Sequence, residues 1–221
     1  MLLNTAGGVA GGDRLDTCIT AGPGTMATVT TQAAERFYRA LPGTDARVTA
    51  TLDIAERAAL EWLPQETILF DRCALRRELR VTMAEGAWFL GVEQWVFGRT
   101  AMGERVTHGR IHDLITIDRG RKKVLHDAVR FDGAVQDVLD RPASAAGGRA
   151  VATLIHVGPM AETHVAPLRS ALVAWDAGVS AWDGMLVARI VAQNGACLRA
   201  AVVAGLNILR AGRPLPRVWE C

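Results

Sequence analysis

Over most of its first 130 residues this chain alternates apolar and polar residues with a period of two, and that alternation commits it to a strand-built fold. In "RVTATLDIAE", Val48, Ala50, Leu52 and Ile54 alternate with Thr49, Thr51 and Asp53, so one face turns inward and the other toward water. The pattern returns in "LRRELRVTMAEG", where Leu79, Val81 and Met83 lie opposite Glu78, Arg80 and Thr82, and in "RIHDLITIDRG" with Ile111, Ile115 and Ile117. Turn signals separate the runs: Gly22-Pro23-Gly24, Pro42-Gly43, Glu85-Gly86 and Arg119-Gly120. No repeat of constant period is visible, so the residues alone support stacked β layers and not a regular solenoid.

After the small-residue stretch "RPASAAGGRA" the pattern changes. "APLRSALVAWDAG" places Leu168, Leu172 and Trp175 at helical spacing, with Pro167 tolerated in the first turn and Gly178 as a stop. "GMLVARIVAQ" reads as a buried strand, after which Asn194 caps a second helix carrying Leu198, Val202, Leu206 and Leu209 on one face; Gly212 and Pro214 end it. The expected organisation is a single domain over 1–221, strand-rich over 1–140 and mixed helix and strand over 150–221, mainly β with two C-terminal helices.

Composition removes several function classes. The net charge is +2 without a clustered basic stripe, and one tyrosine is available to stack on bases, so nothing favours nucleic acid. No run reaches the roughly 18 apolar residues that span a bilayer, and the start lacks the features of a secretion signal, so no membrane role and a cytosolic address are expected. Cys18, Cys73, Cys197 and Cys221 form no Cys-x-x-Cys pair; reduced, mostly buried thiols are expected, with terminal Cys221 exposed.

The glycine-rich opening "LLNTAGGVAGGDRL" is not a phosphate loop, because Asp13 stands where a lysine would neutralise the phosphates, and "DTCIT" after it reads as a strand rather than a helix. Gly7, Gly8, Gly11 and Gly12 then supply positive φ or close backbone approach, with Asp13 closing the turn. His108 and His112 share a strand face but lie about 13 Å apart, too far to share a metal without a bend at Gly109. Glu61, Glu66, Asp71 and Glu104 sit near turns, where paired carboxylates could do acid–base work or pass a divalent ion, and where a lone one is more often a solvated charge or cap. Neither a G-x-S-x-G elbow nor a catalytic-cysteine signature is present.

Five strings occur in a fixed order: "NTAGGVAGGDRL", "TTQAAERFYRA", "LEWLPQETILFD", "GRTAMGE" and "LPRVW". Together they resemble the urease accessory protein UreD family, also called UreH, from Leu2 to Trp219. Gly8, Gly11, Gly12, Asp13 and Arg14 match its glycine-rich turn, and Thr30, Thr31 and Tyr38 its next strand pair. Glu61, Trp62, Leu63, Pro64 and Gln65 match the central motif; Gly98, Arg99, Gly103 and Glu104 the third; Leu215, Pro216, Arg217 and Trp219 the terminus. The resemblance implies stacked β layers of β-helix-like character and a non-enzymatic chaperone that helps insert nickel into apo-urease. It also implies partners: the urease, a UreF-type accessory protein and, through it, a UreG-type GTPase.

On that reading no cofactor is held tightly, and Asp13, Glu61, Glu66 and Glu104 are the candidate residues for a hydrated route for Ni²⁺ in transit. Weak oxygen ligands release an ion as readily as they receive it, whereas thiolate or clustered imidazole sites retain it. The competing classes are a β-stack hydrolase using two of these carboxylates on a carbohydrate, and a static scaffold that never touches metal. Family members carry further strands before the glycine-rich turn, so Met1 is expected to be an internal start, with a sheet edge left bare. Residues 1–221 alone should then be poorly soluble and be rescued by upstream extension; a cooperative melt as a soluble monomer contradicts this.

Overall fold

The alternating runs stack on one another as parallel turns in the computed structural model, which describes residues 1–99 and 102–220. The first turn comprises β1 (Arg14–Ala21), β2 (Met26–Thr30) and β3 (Glu35–Phe37), and the second β4 (Ala46–Ile54), β5 (Ala59–Leu63) and β6 (Thr67–Leu69). In the third, β7 (Ala74–Met83) is followed by β8 (Trp88–Phe97), which is long enough to pair with both β5 and β6. The register stacks Met26, Ala59 and Trp88, and likewise Arg14, Arg47 and Arg76, at spacings of 33 and then 29 residues. This is a short β-solenoid whose turns shorten by four residues, which hides the repeat from a search for one constant period.

Beyond the third turn, β9 (His108–Arg119) continues the first sheet in parallel beside β7, and β10 (Lys122–Ala134) returns against it in a hairpin. After a short helix, α1 (Val135–Leu139), the second sheet is extended in antiparallel fashion by β11 (Ala150–Val157), β12 (Asp176–Trp182) and β13 (Met185–Ala192). The sheet orders are β1-β4-β7-β9-β10 and β12-β13-β11-β8-β5-β2. Helices α2 (Val165–Ala171) and α3 (Gly195–Leu209) cover the outer face of the second sheet.

The period-two pattern explains the layers. Ile19, Leu52, Val81 and Ile117 occupy one row across β1, β4, β7 and β9, facing the second sheet. Strand β8 is buried on both sides: Phe89, Trp95 and Phe97 face the first sheet while Leu90, Val92 and Val96 face the helices. A strand covered on both faces loses its alternation, which is why "WFLGVEQWVF" is a nearly continuous apolar run.

The second helix forms as its sequence predicts, with the Asn194 side chain accepting from the Cys197 N–H at 2.9 Å and Leu198, Val202, Leu206 and Leu209 buried. The first is shorter than expected. It ends at Ala171; Leu172 and Trp175 lie in the following turn, and Gly178 is inside β12 rather than a helix stop. Pairing of β12 with β13 along its whole length supplies the backbone partners that a longer helix would have needed. The thiols also depart from expectation. Cys73 is buried, which pushes its pKa up to about 12, but Cys18 and Cys197 are exposed. Cys18 shares the outer face of β1 with Asp16 and Thr20, and Cys197 lies in the first turn of α3. Cys221 lies outside the described residues.

Candidate functional site

The structure does not bring Asp13, Glu61, Glu66 and Glu104 together; each is engaged locally. Asp13 is exposed and its Oδ2 accepts from the Ala10 N–H at 2.8 Å, closing the glycine-rich turn. Glu66 stands 3.8 Å from Arg199. Glu104 pairs with Arg99 at 2.7 Å and accepts from the Asp71 N–H. Among the described residues no group of three His, Cys, Asp or Glu is arranged to hold a metal ion. His108 and His112 lie on an uninterrupted β9, so Gly109 does not fold them toward each other.

Glu61 is wholly buried and faces the helices. Arg210 reaches it in a bidentate pair, Nε to Oε1 and Nη2 to Oε2, both at 3.0 Å. Arg213 adds a contact of 2.7 Å, and the Thr28 hydroxyl donates at 2.5 Å. Burial pushes the Glu61 carboxyl up, but the bonds from Arg210 and Thr28 and the two positive charges outweigh it and hold the group below the ordinary carboxylate range. A carboxylate so occupied has no oxygen left for a passing ion. It ties α3 to the second turn of the solenoid.

The other motif strings also make structural contacts. Gly8 has φ of +148°, and a Cβ there would come within 2.5 Å of the Tyr38 ring, whose hydroxyl donates to the Gly7 carbonyl at 2.7 Å. Gly11 and Gly12 meet close backbone approach and positive φ respectively, whereas Gly7 meets neither demand. Arg14 begins β1 on the surface. The Thr31 hydroxyl accepts from the Gln65 N–H at 2.8 Å, and the Pro64 carbonyl accepts from Gln94. Pro216 opens the final turn, and Trp219, buried, donates its indole N–H to Thr30 and to the Leu63 carbonyl. Gly98 has φ of +81° and lies against the Glu104 carbonyl; Gly103 also has positive φ. The strings that are far apart in sequence thus meet: the C-terminus is clasped onto the first and second turns.

Sequence reading missed a buried ionic cluster between the sheets. Arg77 of β7 reaches Asp113 of β9 with Nε at 2.6 Å and Nη2 at 3.1 Å. It also crosses to the second sheet, meeting Glu93 of β8 at 2.6 Å and the Thr67 hydroxyl at 3.2 Å. Glu93 accepts from the Trp62 indole at 2.9 Å, and Arg77 lies under the Trp95 ring at 5.2 Å. Burial, together with the neighbouring Asp113 charge, raises the Glu93 pKa in spite of Arg77, while the two acids raise that of Arg77. One guanidinium serves two carboxylates. The available signal was phase: Arg77 shares the parity of Leu75, Leu79 and Val81, and Asp113 that of Ile111 and Ile115, so both had to point inward.

This cluster stands between two inter-sheet cavities. One, of about 560 Å³, is bounded by Leu15, Thr17, Val48, Ala50, Trp62, Gln65 and the N-terminal segment. The other, of about 390 Å³, is bounded by Asp113, Asp127, Val129, Thr153, Ser144 and Arg189. Arg77 and Glu93 line both. Arg77 and Glu93 therefore form a wall common to both cavities.

With this geometry in view, the comparisons with known proteins decide the family. The model of the UreD urease accessory protein family matches residues 1–220. The chain belongs to the UreD family. It is 42% identical over 220 residues to the urease accessory protein UreD of Rhizobium leguminosarum bv. viciae, covering all of this chain and 80% of that protein. It is 46% identical to UreD 1 of Bradyrhizobium sp. (strain ORS 278), covering 99% of this chain and 78% of that protein, and 45% identical to UreD of Methylobacterium sp. (strain 4-46), covering 100% and 80%. The UreD family is one of accessory proteins in urease maturation. Among the described residues no helix is long and apolar enough to cross a membrane.

The Glu61 pair makes a stability prediction. Glu61→Gln leaves Arg210 buried beside a neutral partner and should cost about 3 kcal/mol at neutral pH. Because the folded pKa is depressed, the contribution of Glu61 is complete above the unfolded value of about 4.3 and is lost as pH falls through the folded one. Urea unfolding of both proteins should show the gap narrowing below about pH 4.3; a gap that is small at neutral pH, or that does not change, contradicts this role.

Proposed function

We propose that this UreD-family chain works by contact and passage in the cytoplasm and catalyses nothing itself. It bridges apo-urease to a UreF-type accessory protein and, through that, to a UreG-type GTPase, while the space between its sheets offers Ni²⁺ a route. The observation that carries the route is the pair of cavities meeting at Arg77 and Glu93. Nickel is cargo here, not a resident cofactor.

Electrostatics favours this space over Asp13, Glu61, Glu66 and Glu104, each of which is engaged elsewhere. A divalent ion entering a low-dielectric interior needs oxygen ligands and compensating charge. Glu93 has a raised pKa and shares its cation with Asp113, so it can exchange a proton or Arg77 for an approaching ion. Asp127 and Arg189, paired at 2.7 Å, offer a further ionic step beyond it. A sugar hydrolase needs two carboxyl groups with free oxygens flanking an aromatic-lined cleft. Glu93 and Asp113 are instead joined through one guanidinium, and the hydrolase is not favoured.

The test is nickel loading of urease co-expressed with its accessory proteins. Thr17→Phe, which narrows the larger cavity away from the ionic cluster, and Glu93→Gln should each lower nickel content several-fold while complexes assemble at the parental yield. Glu104→Gln should not. Normal loading in both inter-sheet variants overturns the route and leaves the bridging role; failure of the parent chain to co-purify with apo-urease overturns the bridge.

A further inference from the structure

On the opposite face of the second sheet, β11 carries a histidine that none of the contacts above uses. His156 is 1% exposed, and neither its Nδ1 nor its Nε2 has a hydrogen-bond partner within the protein. It shares parity with Ala152 and Leu154, so it points to the helix layer and away from the inter-sheet cavities. A buried imidazole without a hydrogen-bond partner gives up its hydration for ring contacts alone, here with Trp88 at 5.3 Å and with His164. Burial, and then the neighbouring His164, hold its pKa down to about 4, so the ring is neutral at physiological pH and presents a lone pair.

His164 supplies the second group. It ends the 3₁₀ turn Ala161–His164 that leads into α2, and its ring centre lies 5.1 Å from that of His156 at an interplanar angle of 84°. Its Nδ1 lies 2.8 Å from the Met160 carbonyl. A carbonyl only accepts, so Nδ1 bears the hydrogen and Nε2 of the neutral ring is left bare, the arrangement that a backbone carbonyl imposes on metal-ligating histidines. Two imidazoles bound to one ion at metal–nitrogen distances of about 2.1 Å have ring centres about 4.6–5.3 Å apart at octahedral or tetrahedral angles. The observed separation falls inside that interval.

We propose that His156 and His164 form a two-imidazole site for a borderline divalent cation such as Ni²⁺ or Zn²⁺. Imidazole nitrogen suits such ions better than the hard ions that oxygen cages select. No third His, Cys, Asp or Glu among the described residues completes a cage, so the ion keeps open positions for water or for a ligand from another molecule. A site of two ligands holds an ion loosely enough to pass it on. It is independent of the inter-sheet route, lying on the other side of β11.

Equilibrium dialysis of the full chain against Ni²⁺ alone at neutral pH tests the pair. One saturable ion per chain is expected, with affinity at least about tenfold weaker in His164→Gln and in His156→Gln, since losing a ligand should cost no less than losing its supporting contact. His126→Gln, on an exposed strand position, should bind as the parent does. His164 is only half-buried, so its variant remains informative if His156→Gln fails to fold. Absence of saturable binding in the parent, or undiminished affinity in His164→Gln, overturns the site. Co-purification with apo-urease should be unchanged in His164→Gln, which separates failure of this site from failure of the bridge.

Discussion

A single guanidinium placed between two sheets organises the interior of this molecule. Arg77 sits in the row Leu15–Val48–Arg77–Asp113, which begins aliphatic and turns ionic at the third strand. On one side of that level, Leu79, Val81 and Phe89 belong to one apolar cluster; on the other, Leu75, Trp95 and Ile111 belong to another. An unpaired buried charge would be costly enough to unfold the region, so Asp113 and Glu93 must stay within reach and both sheets must keep their spacing. Cavities persist on both sides because long charged side chains cannot close-pack as the neighbouring aliphatic rows do.

The helix layer depends on a second buried carboxylate. Glu61 draws Arg210 and Arg213 from the end of α3, and Trp219 inserts beneath Thr30 and Leu63, so the chain's end is fastened to its early turns. The Arg199 guanidinium bonds Gln65 and the Trp219 carbonyl, both at 2.7 Å. Motif residues far apart in sequence thus fasten the chain's end to its early turns.

Much of this was legible in the residues. Period-two alternation located β4, β7 and β9, Asn194 marked the start of α3, and the glycine-rich opening was recognisable as a turn closed by Asp13. The β-helix-like character came from the family resemblance and holds; the residues alone did not reveal it, because successive turns differ by four residues and register is set by hydrogen bonds between distant strands. The burial of Glu61 was not read from its place near a turn, although its flanks, Leu60, Trp62 and Leu63, already described a strand buried on both faces. Arg77 and Asp113 lay in plain view at inward parity. A charge at an inward position of a strand deserves more weight than a charge beside a turn.

The most direct test is the titration of the Glu93 side-chain carboxyl by ¹³C NMR. Sharing one guanidinium with Asp113 in a buried site requires a midpoint above that of an ordinary glutamate. Asp113→Asn should move it downward, because the neighbouring negative charge is removed while Arg77 remains. A Glu93 midpoint at or below the ordinary value, indifferent to Asp113→Asn, would contradict an interior built around one shared cation.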